Sequence, residues 1–117
     1  MEELRTGDTT KSLPLHFKRP FRPWSYEISH RRLVLRSDGN GGSGAAVEVE
    51  FLDVLGMKIR SNYEELLIDD GTAVVAEIDR FVDVPELHSS RYLKLLMSDG
   101  RHEGFVVCGS VRVHRDR

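Results

Sequence analysis

The sequence predicts a mainly β domain, a small sandwich or barrel of about eight short antiparallel strands with at most one short helix. Three observations carry this. Apolar residues recur at every second position in short runs, the period of a half-buried strand. Clusters rich in Gly, Asn, Asp and Ser separate those runs. Only one segment, 73–82, offers the apolar spacing of a helix.

In chain order, residues 1–12 have little to bury and are expected to be mobile. From Leu13 to Pro23, prolines interleave with Leu15, Phe17 and Phe21, which predicts an extended arm able to lie against the domain. Residues 1–23 are thus expected to form a mobile terminus and arm, and 24–117 a single β-rich domain. Trp24, Tyr26 and Ile28 alternate with Ser25, Glu27 and Ser29, so a strand is expected with its large apolar side chains facing the core. Leu33 and Leu35 follow on the opposite parity, which calls for a turn or bulge near His30 and Arg31. Ser37 to Gly44 reads as a flexible loop.

Val47, Val49 and Phe51 form the next strand, Met57 and Ile59 another, and Leu66 to Ile68 a short buried one. Segment 73–82 stays open between two periods. Val74, Val75, Ile78, Phe81 and Val82 fit a helix capped by Thr72, whereas Val74, Ala76 and Ile78 fit a strand. Tyr92 to Met97 and Phe105 to Cys108 flank Asp99-Gly100, a hairpin-turn signal, and Val111 and Val113 mark a closing strand.

The chain has 117 residues, the size of one domain, and with 31% charged and 39% hydrophobic residues its balance is globular. No apolar run approaches the ~20 residues of a membrane helix. The N-terminus is acidic and polar, unlike a secretory signal. Cys108 is the single cysteine, which excludes an internal disulfide. A cytoplasmic location without membrane contact is therefore expected. Arginine far outnumbers lysine, a composition associated with GC-rich bacterial genomes.

Chemistry-bearing patterns are missing from the sequence. His16, His30, His88, His102 and His114 stand outside the metal spacings of His and Cys ligands. Cys108 sits among Phe105, Val106 and Val107 and reads as a buried structural thiol. Asp69, Asp70, Asp79, Asp83 and Glu86 miss the calcium-loop pattern, since the sixth residue from Asp69 is Val74 where glycine is needed. The glycines of 39–44 lack the Gly-Lys-Ser/Thr of a phosphate loop. No catalytic residue, metal ligand or cofactor is expected.

Charge is segregated. Net charge is −2, yet residues 16–36 carry Lys18, Arg19, Arg22, Arg31, Arg32 and Arg36 against Glu27 alone. These cations lie among Phe17, Phe21, Trp24 and Tyr26, a weak nucleic-acid pattern that the acidic remainder opposes. In a compact fold the two charge populations can pair with each other.

The run Trp24-Ser25-Tyr26-Glu27-Ile28-Ser29-His30-Arg31-Arg32-Leu33-Val34-Leu35-Arg36-Ser37, with Gly104-Phe105-Val106-Val107, resembles small uncharacterised β-rich bacterial proteins. Some of these resemble immunity proteins of toxin systems. The matching positions are packing positions, so no functional residue is carried over; the resemblance implies a protein-binding role.

The function expected is thus a non-catalytic protein-interaction module of a bacterial cell, with an unidentified protein or a second copy as partner. Contact residues are expected among Arg19, Arg22, Arg31 and Arg32, or among Asp69, Asp70, Asp79 and Asp83, on charge alone. A sandwich or barrel holding a small molecule inside is the alternative. A nucleic-acid binder using residues 16–36 is the third reading.

Overall fold

Apolar side chains at every second position give each run one face to bury, and two stacked antiparallel sheets bury them against each other. The computed structural model describes residues 2–5, 13–38 and 45–115. Its strands are β1 (Glu2–Arg5), β2 (Leu15–Phe17), β3 (Arg22–Glu27), β4 (Arg32–Ser37), β5 (Val47–Leu52), β6 (Gly56–Lys58), β7 (Leu66–Asp70), β8 (Leu93–Ser98), β9 (Glu103–Cys108) and β10 (Ser110–Arg115). The first sheet has the order β1-β10-β5-β4-β3 and the second β2-β7-β8-β9-β6. The protein is mainly β, as the alternation predicts, and the strands read from Trp24 onward are β3 to β10.

The N-terminal part adds two further strands. β1, in the terminus expected to be mobile, pairs with β10, and the extended arm lies against the domain as expected, with β2 paired to β7. Phe17 and Phe21 enter the core with ring centroids 5.3 Å apart. Phe21 and Tyr63 exchange backbone hydrogen bonds of 2.9 and 2.8 Å where the chain crosses from the second sheet to the first. Residues 6–12 of the expected mobile terminus and residues 39–44 of the glycine-rich loop lie outside the described residues.

Between the sheets, Leu33, Leu35, Val49, Phe51, Val111 and Val113 of the first meet Leu66, Ile68, Leu95, Met97, Val106 and Cys108 of the second. All are inaccessible to solvent or nearly so. The interior is filled by side chains, the packing of a sandwich.

The open segment resolves as a helix, α1 (Val75–Phe81), after a 3₁₀ turn at Thr72–Val74. Strand propensity yields because the outer face of the second sheet also needs covering. Ile78 and Val82 bury against Phe105 and Val107 there. Gly56 permits the approach, since a Cβ at that position would collide with Val82. Thr72 is not the cap expected of it; the Asp70 carboxylate instead accepts the Thr72 N–H at 3.0 Å.

Candidate functional site

Proline cannot donate to a sheet ladder, so Pro23 belongs on an edge, and β3 is the outermost strand of the first sheet. Arg22 lies opposite Arg36 and Pro23 opposite Leu35, but the next partner, Val34, takes Ser25. Trp24 is the extra residue of a bulge, and the bulge reverses the phase of the strand. The core-facing placement expected for Trp24, Tyr26 and Ile28 is corrected: they are 53%, 41% and 82% exposed, Trp24 as the bulge residue, Tyr26 on the outermost strand and Ile28 past the end of the strand. The guanidinium groups of Arg22 and Arg36 both lie over the Trp24 ring, 5.3 and 5.2 Å from its centre. Tyr26 is opposite the core residue Leu33 but beyond the rim of the core, and Ile28 sits in the turn to β4. The turn expected near His30 and Arg31 is present, closed by the Arg31 N–H on the Ile28 carbonyl at 3.2 Å, and the bulge at Trp24 is a second irregularity that the alternation does not show. Pro23 is the signal in the sequence that marks an edge.

The basic segment is paired within the fold. Arg19 donates to the Ser37 hydroxyl and to the carbonyls of Asp38 and Ala45, at 2.7 to 2.9 Å. Arg36 binds Asp38 and Glu48, which holds the Asp38 carboxyl below its ordinary value. Arg32 binds Glu50, whose side chain is buried on the outer face of the first sheet with His114 at 3.3 Å and Arg112 at 3.7 Å. Burial alone would raise the Glu50 carboxyl. Hydrogen bonds from Arg32 and His114 outweigh burial and hold it below its ordinary value.

Arg31 binds Asp53, and Asp53 also accepts the Tyr92 hydroxyl at 3.2 Å. Both take left-handed backbone, Arg31 (φ 49°) in the turn between β3 and β4 and Asp53 (φ 55°) where the chain leaves β5 for the second sheet. Arg31 and Arg32 thus hold the domain together at one end. Arg22, with a 3.4 Å contact to Asp38 and a largely exposed side chain, is loosely held at the other.

The acidic candidates do not form one patch. Asp69 and Asp70 end β7, where each accepts a backbone N–H. Asp79 pairs with Lys94 across α1 and β8 at 2.8 Å. Asp83 is exposed beyond the helix. Among the described residues, no group of three or more His, Cys, Asp or Glu side chains could hold a metal ion. His16, His30, His102 and His114 each face one carboxylate, at four separate places. Cys108 is buried, and desolvation pushes its thiol far above the usual range.

The end of the sandwich at which the chain crosses between sheets carries two clefts. One, of about 320 Å³, is lined by Pro20, Phe21, Arg22, Arg36, Ser37, Asp38 and Asn62. The other, of about 260 Å³, is lined by Arg60, Ser61, Asn62, Glu64, Asp99, Arg101 and His102. Asn62 is common to both, so they adjoin. Charge and composition did not single out this second group. Its members come from the β6–β7 connection and the β8–β9 hairpin, far apart in sequence. Compared with protein-family models, curated proteins and solved structures, the chain matches none.

Proposed function

We propose that this protein is a non-catalytic protein-binding module whose contact surface centres on β3. The observation that carries this reading is the exposure of Trp24, Tyr26 and Ile28 at the open edge of a sheet whose core is otherwise filled. Covering such a side chain fully contributes about 1.5–3 kcal/mol, free energy that a partner recovers. Aromatic residues flanked by arginine are also the composition of binding hot spots.

Of the contact residues expected on charge, Arg22 belongs to this surface, whereas Arg19, Arg31 and Arg32 are spent on internal pairs. Those internal pairs also weigh against a nucleic-acid reading of residues 16–36, because cations already neutralised release few counterions on binding. A small-molecule role would draw on space between the sheets, and Phe21, Phe51 and Tyr63 occupy it. The resemblance to immunity proteins agrees with protein binding, with a toxin protein as the partner class.

The test is a tagged pull-down from lysate of the source cell, with wild type and Trp24→Ala/Tyr26→Ala side by side. One stoichiometric partner is expected with wild type and its loss with the double variant, at unchanged thermal unfolding. Equal capture by both chains, or none by wild type, overturns the proposal.

A further inference from the structure

We infer that the two adjoining clefts form one groove that receives an acidic, extended segment of the protein partner; this rests on the reading of β3 as the contact surface. Three observations point to it. The groove is continuous with that surface, because Arg22 and Arg36 both lie over the Trp24 ring and line the first cleft. Its walls are rich in donors: Arg22, Arg36, Asn62, Arg60, Arg101 and His102. Of the three acids that line it, Asp99 and Asp38 are already engaged, and Glu64 is exposed at its rim. The Asp99 carboxylate accepts the backbone N–H groups of Arg101 and His102 at 3.0 and 2.7 Å, and Asp38 accepts Arg36 at 2.9 Å.

Against this, several of the cations are weakly held. Arg22 reaches Asp38 only at 3.4 Å between exposed groups, and Arg60 reaches Asp99 only at 3.8 Å. Arg101 is exposed, and its guanidinium has no partner among the described residues. The exposed Arg22–Asp38 pair and the long Arg60–Asp99 contact contribute little to folding, so an incoming carboxylate can take either arginine at small cost. Guanidinium groups bind carboxylates in a two-pronged geometry, which favours aspartate and glutamate side chains at intervals along an extended chain.

The probe is a fluorescein-labelled glutamate-rich peptide, titrated with the full chain and followed by anisotropy at about 0.02 M and about 0.3 M salt. An oligothymidine of equal charge is run in parallel. Binding of the peptide at low salt is expected, weakened about tenfold or more at high salt and about tenfold or more by Arg60→Ala/Arg101→Ala. Arg80→Ala/Arg91→Ala, outside the groove, is expected to leave binding unchanged. No binding at low salt, or equal binding by the groove variant, overturns the inference. Tighter binding of the oligothymidine also overturns it, in favour of nucleic acid. The same groove variant in the pull-down separates the two proposals. If capture needs Trp24 and Tyr26 but not Arg60 and Arg101, the groove falls and the contact surface stands.

Discussion

At the β8–β9 hairpin, Asp99 does by itself what a longer loop would need several residues to do. Its carboxylate accepts the N–H groups of His102 and Arg101, and those bonds hold it at about 2, below the ordinary 3.8. A carboxyl with a depressed folded value contributes stability that is complete above the unfolded value and lost as pH falls through the folded one. The hairpin contribution of Asp99 is therefore expected to disappear between pH 3.8 and about 2. Thermal midpoints measured across that window should fall more steeply for wild type than for Asp99→Asn, which keeps an acceptor oxygen but does not titrate. Equal slopes would show that the turn draws nothing from the charge. The sequence marked this turn through Asp99-Gly100, and Gly100 does take left-handed backbone, φ 89°. It did not mark the left-handed conformations of Arg31, which closes the turn into β4, and of Asp53, where the chain crosses between sheets.

Elements were legible where local pattern and tertiary need agreed. β8 and β9 read as nearly continuous apolar runs because they are buried on both faces, and β10 alternates because only its core face is buried. β3 departs from its pattern because Trp24 is the extra residue of a bulge; the insertion sets Tyr26 opposite Leu33, but on the outermost strand that place stays partly open to solvent. α1 departs from strand propensity because the second sheet is covered on its outer face as well. That packing depends on close backbone approach. A Cβ on Gly104 would collide with the Lys58 carbonyl of β6, and a backbone oxygen in a ladder cannot step aside. Gly104→Ala is therefore expected to destabilise the protein by about 3 kcal/mol, read as a lower denaturant midpoint. Gly109→Ala, whose Cβ would meet the nearest atom at an ordinary 3.4 Å, is expected to cost far less.

For the whole molecule, the charge segregation in the sequence is largely resolved by pairing. The basic run of 16–36 folds onto Asp38, Glu48, Glu50 and Asp53, which follow it in the chain, and little of that run is left as a free cationic patch. The groove was hidden for the converse reason: its residues are dispersed along the chain and meet only when the connections at one end come together. Cys108 offers a probe of the whole. It is fully buried between the sheets, and its thiol resists ionisation, so a maleimide reagent can reach it only through large-scale opening. Labelling is expected to be slow in native buffer and to accelerate with denaturant in step with loss of tryptophan signal. Fast labelling under native conditions would mean that the two sheets separate far more easily than their packing implies.

The bulge and the proline of β3 have one more consequence. β3, which carries the exposed Trp24 and Tyr26, also lacks a donor at Pro23 and breaks register at Trp24. A strand from another chain that docks here finds an interrupted ladder. Sheet extension by another copy is disfavoured at this edge, and selectivity there passes from the backbone, which every protein shares, to side chains, which differ. The edge can be adhesive without becoming a seed for fibres.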